Sequence, residues 1–213
     1  MPFNTPALNV MLDALDESAT QITHIGLHTV TDPGTGTNAN SGEATGGSYA
    51  RVAVTWGAAA SGQKTNSGAL TIEAPAGSYA FLTFWNASTG NTGNFRGFAP
   101  INGTVKGFGT VDAAGVTADA IQSAAHGLVD NDRVMVFNVF AESLPAGLAE
   151  GTIYHVVSGA TDTFEVSATQ GGASVNITGQ GELFFQKVIP ETFASAGQVT
   201  VAIGALTLDL TGI

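Results

Sequence analysis

The stretch from Gly57 to Thr65 comes closest to a phosphate-binding loop. Gly57 and Gly62 have the spacing of the glycines in a P-loop, whose backbone N–H groups surround the phosphates of a nucleotide. In that loop a lysine directly follows the second glycine, but here Gln63 stands between Gly62 and Lys64. The segment that follows has a strand pattern, where a nucleotide site would require a helix. We therefore predict a hairpin loop that binds no nucleotide, with Lys64 exposed to solvent.

Histidine is the next residue type that could do chemistry. His24 and His28 are four residues apart, which on a helix would place two imidazoles on one face for a metal ion. The residues around them predict a strand, on which positions four apart are separated by about 13 Å. His126 and His155 fall in separate turn and strand patterns, and the chain has no cysteine. We therefore expect no metal site and no cofactor.

The pattern of nucleophiles and acids does not predict an enzyme. There is no Gly-x-Ser-x-Gly elbow that could present a nucleophilic serine. A glycosidase would need two carboxylates in one cleft. The acidic residues are instead spread singly over predicted loops and strand edges: Glu43, Glu73, Asp112, Asp119, Glu142, Glu150, Glu165 and Glu182. We expect no catalytic residues.

Composition narrows the class of protein. The 213 residues are 44% hydrophobic, which is enough for a substantial core, and only 11% are charged, against about 25% in an average soluble domain. The net charge of −11 and the scattered positive residues argue against nucleic-acid binding. No apolar run is long enough for a membrane span and the amino terminus lacks a secretory signal pattern, so we expect assembly in the cytosol without membrane insertion.

One helix is predicted, from about residue 6 to residue 17. Thr5 can cap its amino end, with Pro6 at the first helical position. Apolar residues then recur at helical spacing, at Leu8, Met11, Leu12 and Leu15. Such an amphipathic helix could cap the end of a β-structure or act as a docking arm on a partner subunit.

From Gln21 onward the pattern is strand and turn. Tyr79–Trp85 is apolar on both faces, which predicts a central strand covered on both sides. At the carboxyl end two alternating runs in opposite phase predict a hairpin, and Gly204-Ala205 predicts a bulge or tight turn between them. The apolar positions of these runs are Val199, Val201 and Ile203, then Leu206, Leu208 and Leu210.

A cluster of aromatic residues falls within eighteen positions of the chain. It comprises Phe81, Phe84, Trp85, Phe95 and Phe98. Exposed in loops, such residues would suit a shallow sugar-binding surface. We predict core packing instead, because Phe81 to Trp85 lies within a strand pattern.

Four segments together resemble one family of proteins. They contain a turn after a short apolar strand, a GGSYAR strand entry, an aromatic segment ending in a glycine turn, and a closing hairpin. In order they are 27–34, 46–57, 81–95 and 191–210. The chain is similar in these segments to tailed-bacteriophage virion surface proteins of the tail-fibre, minor tail or head-decoration type. Gly90-Asn91-Thr92-Gly93 departs from the shorter glycine turn of that family.

About 85 residues separate the aromatic segment from the closing hairpin, where the family has almost none. They resemble a small β-module of phage tail and fibre proteins in the stretches 125–134, 144–148, 152–157 and 162–167. Asp130-Asn131-Asp132 predicts a tight turn within it. We predict a helical segment at 1–19, a core at 20–103 with 188–213, and an inserted β-module at 104–187 that brings Asn102-Gly103 close to Val188-Ile189.

The resemblance implies an all-β fold with a β-sandwich or jelly-roll-like core. It also implies a non-enzymatic structural component of a phage virion, displayed on the capsid or tail exterior and assembled in the host cytoplasm. Its partners would be other virion structural proteins and copies of itself, with a trimer favoured. The alternative is a carbohydrate- or receptor-binding module that contacts a host-surface glycan through loops 31–48, 86–94 or 141–150. The third functional hypothesis is a glycan-degrading enzyme.

Overall fold

The computed structural model describes residues 9–10, 12–13, 21–34, 36–102, 105–111, 119–139 and 143–209. These residues form an all-β protein, as predicted, that divides into two compact units. Unit 1 comprises Met1–Ala99 with Thr192–Ile213, and unit 2 comprises Pro100–Glu191. The strands are β1 His24–Thr29, β2 Val52–Ala53, β3 Gln63–Thr65, β4 Leu70–Ala74, β5 Gly77–Trp85, β6 Phe95–Pro100, β7 Lys106–Val111, β8 Ile121–Gln122, β9 Arg133–Asn138, β10 Ile153–Val157, β11 Thr163–Ser167, β12 Gly181–Val188, β13 Glu191–Phe193, β14 Gly197–Val201 and β15 Thr207–Asp209.

Strand β5 is the centre of the largest sheet in unit 1. The sheet has the order β13-β5-β1-β2, and β6 also pairs with β5. Every residue from Tyr79 to Trp85 is buried, because neighbouring side chains cover both faces of the strand. The central strand predicted from the apolar run is therefore confirmed.

The prediction of a closing hairpin is wrong in its pairing. Strand β14 pairs with β4, and β15 pairs with β3, so the two carboxyl-terminal strands pair with different partners. The tight turn between them is confirmed: Ala205 N–H donates to the Ala202 carbonyl oxygen, and Gly204 has a φ of +74°. Ile203 is 67% exposed because it lies in this turn, although its spacing predicted a buried position.

Asn66 links this turn to the rest of unit 1 from a buried position. Its side-chain amide donates to the carbonyl oxygens of Gly68 and Ala202, and its Oδ1 accepts from Leu206 N–H. The Asn66 side chain is only 1% exposed, so these three bonds replace the water that it gives up on folding.

Unit 2 is a closed six-stranded barrel with the strand order β10-β11-β8-β7-β12-β9. Closure leaves no unpaired edge in the barrel. On β7 the inward positions include Gly107 and Gly109, where an added Cβ would lie 3.0 Å from Phe185 and 2.4 Å from Ile121. Bulky side chains from other strands therefore fill the space that these glycines leave. The interior contains Val111, Ile121, Leu128, Val134, Val136, Tyr154, Val156, Phe164, Val166, Ile177, Leu183 and Phe185.

The predicted turn at Asp130-Asn131-Asp132 is confirmed within this barrel. Asn131 has a φ of +72°, a left-handed conformation that asparagine tolerates better than most residues. Asp132 N–H donates to the Val129 carbonyl oxygen, and the Asp132 carboxylate accepts from Val129 N–H.

The segment predicted as an insertion coincides closely with unit 2. Its predicted limits, 104 and 187, lie within four residues of Pro100 and Glu191. Asn102 and Ile189 form an isolated β-bridge, as expected for the two ends of an inserted unit.

We predict that unit 1 folds without the insertion. Replacing residues 104–187 with a short Gly/Ser linker is expected to leave a folded β-protein, because Asn102 and Ile189 already lie side by side. Both tryptophans, Trp56 and Trp85, belong to unit 1, so their fluorescence during urea unfolding reports on this unit alone. A deletion product without a cooperative transition would contradict the prediction.

The predicted amino-terminal helix falls largely outside the described residues. Asn9, Val10, Leu12 and Asp13 are helical, and Leu12 is 1% exposed. The other positions of the predicted span from 6 to 17 are not described, so the extent of the helix stays a prediction.

Candidate functional site

The P-loop-like stretch is a two-residue β-hairpin. Ala60 and Gln63 exchange both backbone hydrogen bonds, at 2.8 and 3.0 Å. Ser61 and Gly62 between them have φ values of 55° and 76°, as in a type I′ turn. The hairpin is therefore confirmed, but the exposure expected for Lys64 is wrong: its side chain is 2% exposed. Lys64 lies on strand β3 with its side chain on the buried face, while the preceding Gln63 is exposed.

A carboxylate from the amino-terminal segment pairs with this lysine. Lys64 Nζ donates to Asp13 Oδ1 at 2.9 Å, and Ala59 N–H donates to the same oxygen at 2.9 Å. Gly62 N–H donates to Asn9 Oδ1 at 2.7 Å. The hydrogen bond from Lys64, followed by the one from Ala59 N–H, holds the pKa of Asp13 below its usual value. The hairpin amides that a phosphate would need are thus used to attach the segment around Asn9 and Asp13.

We therefore predict that Lys64→Ala lowers the melting temperature of unit 1. The substitution removes the ammonium group that Asp13 contacts and leaves a void where the lysine stem was buried. Lys64→Met, which keeps the stem, is expected to lower the melting temperature less. Melting followed by tryptophan fluorescence measures both variants, and an unchanged temperature for Lys64→Ala would contradict the assignment.

Arg51 holds two loops of unit 1 together. Its guanidinium forms a two-pronged pair with Glu43, with Nε and Nη2 at 2.6 and 2.7 Å from the carboxylate oxygens. Nη1 donates to the carbonyl oxygens of Ala87 and Gly90. The guanidinium carbon lies 3.3 Å from the ring centre of Trp85, a cation–π contact. The side chain is 5% exposed, so Arg51 is a structural residue in this unit and not a free anion-binding group.

Tyr49 extends the same network. Its hydroxyl donates to Glu43 Oε1 at 3.0 Å and accepts from Leu27 N–H at 3.1 Å. Burial, followed by the nearby Glu43 charge, raises the pKa of Tyr49 well above its usual value. The GGSYAR stretch at 46–51 therefore positions Tyr49 and Arg51 to connect strand β1 with the loops on either side.

The aromatic cluster of unit 1 packs in the core, as predicted. Phe81, Phe84, Trp85 and Phe95 are all at most 8% exposed, whereas Phe98 is half-buried and packs edge to face on Phe81. Trp85 and Phe95 meet edge to face, with ring centres 5.2 Å apart. The loops expected to contact a glycan, 31–48, 86–94 and 141–150, contain no aromatic residue in their sequence. Aromatic stacking on a sugar is therefore not available from those loops.

Three of the four histidines have separate local hydrogen-bond partners. His24 Nδ1 bonds to the Thr23 hydroxyl, and His28 Nε2 lies 3.3 Å from the Asn40 carbonyl oxygen. His126 accepts from Leu128 N–H through Nδ1 and stacks on Phe164 at 4.9 Å. The described part of the chain contains no group of three or more potential metal ligands.

We predict that acid lowers the stability of the protein. Burial, followed by the charge of Arg133, lowers the pKa of His155 in the folded state, and burial, followed by Arg51, does the same for His24. The unfolded chain then binds protons more readily, so stability is fully present above about pH 6.5 and decreases as the pH falls toward the folded pKa. Calorimetric melting between pH 8 and pH 5 measures the effect, and His155→Gln is expected to reduce the slope. An equal slope in His155→Gln would contradict the role of this residue.

An aromatic face on the outside of the barrel is the surface that sequence reasoning missed. It consists of Phe108, Phe184 and Phe137, which lie side by side on β7, β12 and β9 because Phe184 is in register with both of the others. Ring centres are 5.5 Å apart between Phe108 and Phe184 and 6.3 Å apart between Phe137 and Phe184. Phe108 is 63% exposed, and the other two are half-buried.

The sequence contained a signal for this face. Phe184 and Phe185 are adjacent, and neighbouring side chains on a strand point to opposite sides. One of the two must therefore face outward in any barrel, and Phe185 is the inward one, at 1% exposure. Charged residues flank the face: Lys106 lies two residues from Phe108, and Glu182 lies two residues from Phe184 on the opposite side of the phenylalanine row. Both flanking residues are exposed.

Among the described residues, no helix is both long and apolar enough to cross a membrane. No family model, no curated protein and no solved structure matches the chain. Phe108, in the aromatic face, is the one aromatic residue among the exposed large apolar side chains of the described residues.

Proposed function

We propose that this protein is a non-enzymatic structural component of a tailed bacteriophage virion, displayed on the exterior of the capsid or tail. The observation that carries the proposal is the exposed aromatic face of unit 2, because large apolar side chains grouped on a protein surface mark contact sites. The resemblance of four segments to tailed-bacteriophage virion surface proteins is the reason for proposing that the particle is a phage virion. The protein acts by assembly and needs no cofactor.

The two units have different parts in this proposal. Unit 1 uses its charged, amide and aromatic side chains internally, as the Arg51 network and the Lys64–Asp13 pair illustrate. Unit 2 is a closed barrel whose strands are all paired, so it contacts partners through side chains on its outer face and not by adding a strand. The proposed partners are other virion structural proteins and copies of this chain, with a trimer favoured, and not nucleic acid or a membrane.

A reconstruction of the intact particle tests the proposal. We expect the chain at repeated, symmetry-related positions on the exterior, with the aromatic face against a neighbouring subunit. Phe108→Ser is expected to reduce incorporation into particles, measured by quantitative mass spectrometry of purified virions. Val129→Ser is the matched control, since Val129 is also an exposed apolar residue of unit 2, at 62%. Purified particles that lack the chain would refute the proposal.

The carbohydrate-binding alternative can be tested at the aromatic face, although Asn and Asp side chains of loops 31–48 and 86–94 are also open to it. Among the described residues, Phe108 is the aromatic side chain that is exposed, so the aromatic face is the surface on which a sugar ring could stack. A glycan array probed with the wild-type protein and with Phe108→Ser tests this alternative. Binding that is lost in Phe108→Ser would favour it over a purely structural function.

A further inference from the structure

We propose that a second copy of this chain docks on the aromatic face, with a two-fold axis running along the row of Phe108, Phe184 and Phe137. The proposed function specifies neither this surface nor this symmetry. Pairing through the aromatic face is a property of the isolated chain, so it does not depend on the proposed function.

The middle of strand β7, at Gly107, Phe108 and Gly109, departs from the usual arrangement for a strand with one face in water. Such a strand normally places its apolar residues inside and its polar residues outside. Here Gly107 and Gly109 point inward, against Phe185 and Ile121, while Phe108 points outward and is 63% exposed. Phe108 therefore contributes little to the barrel interior, and its side chain is available to a partner.

The phenylalanine row forms a continuous aromatic strip at the centre of the proposed interface. The three rings occupy one register row across three neighbouring strands, so they extend over about 10 Å at the usual strand spacing. Aromatic residues in such central positions contribute most of the binding energy of many protein interfaces. The half-buried Phe184 in the middle of the row fixes its two neighbours by edge-on or tilted contacts.

The charges beside the row identify the partner. On β7, Lys106 lies two residues before Phe108 and Thr110 lies two residues after it. Glu182 on β12 is directly opposite Thr110. A two-fold rotation about the phenylalanine row places Lys106 of one copy over Thr110 of the other. Glu182 of that second copy is then one strand away, about 4.8 Å, within reach of the two long side chains. The same rotation forms the pair a second time.

The face is therefore complementary to itself in the placement of its charges. Within the described part of the chain, neither Lys106 nor Glu182 has an ion-pair partner, so both are available for this contact. Each copy has a net charge of −11, which opposes association in general, and a local attraction between Lys106 and Glu182 offsets part of it. A face of this kind joins two copies only. The trimer favoured above would need a different surface, so pairing and trimer formation can be separated by mutation.

Sedimentation equilibrium of the purified chain tests the inference. We expect association in pairs, either of single chains or of trimers, and a dissociation constant for this step at least about tenfold higher in Phe108→Ser. Val129→Ser, the exposed apolar control, is expected to leave the dissociation constant unchanged. Equal melting temperatures establish that each variant is folded.

Charge exchange tests the two-fold arrangement itself. Lys106→Glu and Glu182→Lys are each expected to weaken pairing, because each places like charges together across the interface. The double variant restores opposite charges and is expected to return the dissociation constant to within about threefold of wild type. Failure of the double variant to restore pairing would overturn the arrangement.

Other outcomes are equally decisive. A chain that stays monomeric at all concentrations, or an assembly unaffected by Phe108→Ser, would overturn the inference. So would a wild-type monomer whose aromatic face binds a different virion protein. Pairing of the purified chain together with its absence from virions would reject the proposed function while leaving this inference in place.

Discussion

Replacing Arg51 with alanine is expected to lower the free energy of unfolding of unit 1 by about 3 kcal/mol. The substitution leaves the Glu43 carboxylate without its two-pronged partner and the carbonyl oxygens of Ala87 and Gly90 without a donor. It also removes the cation that covers Trp85. The figure is at the lower end for a broken buried pair, because the Glu43 side chain is 26% exposed and water can replace part of the lost contact.

Two further substitutions make the Arg51 experiment specific. Arg51→Lys keeps the positive charge but cannot form the planar two-pronged pair, so it is expected to recover only part of the lost stability. Arg96→Ala is the control within the same unit, since Arg96 donates to the nearby Gly93 and Phe95 carbonyl oxygens. Urea unfolding followed by tryptophan fluorescence measures all three variants. A loss below about 0.5 kcal/mol in Arg51→Ala would show that the network contributes nothing.

Introducing a charge at Val201 is expected to prevent unit 1 from folding. Val201 is 8% exposed and lies opposite Leu70, on the buried face of the β4–β14 pair. An unpaired carboxylate there costs several kcal/mol, which is comparable with the roughly 5 to 15 kcal/mol that stabilises a typical domain. The expected result for Val201→Asp is insoluble protein or the loss of cooperative unfolding in unit 1.

Thr200→Asp is the matched control for Val201→Asp. Thr200 is the adjacent residue on β14 and is exposed, so the same new charge remains in water. Its effect is expected to be within about 0.5 kcal/mol. Leu208→Asp should cost less than Val201→Asp, because Leu208 is half-buried and lies opposite Lys64 in the β3–β15 pair. Equal effects of Val201→Asp and Thr200→Asp would contradict the assignment of the buried face.

Local features of the fold could be predicted from the sequence because the signals are local. The apolar run at Tyr79–Trp85 identified the central strand, and the residues at 130–132 and 204–205 identified turns. The alternation at Val199 and Val201 also identified their buried side correctly. Each of these depends on the conformational preferences or periodicity of neighbouring residues.

The errors concern contacts between residues distant in the sequence. Alternation in two successive runs predicts two strands but not their partners, and β14 and β15 pair with strands more than 120 residues earlier. Lys64 was expected to be exposed because lysine usually is, and its buried position depends on Asp13, fifty-one positions away. Prediction of the aromatic face would have required the strand register of the barrel, because this register places Phe108 and Phe137 on either side of Phe184.

The division of the chain has a consequence for the order of events during synthesis. Unit 2 is one continuous stretch, Pro100–Glu191, whereas β3 and β4 of unit 1 pair with β15 and β14 from the end of the chain. On a ribosome, every strand of the barrel is made before β13, β14 and β15, so the barrel can fold while the sheets of the first unit still lack these three strands. Until then the apolar side chains of Leu70 and Ile72 have no β14 to pack beside. The part of unit 1 that is made first therefore completes its sheets only after the barrel strands and then β14 and β15 have been made.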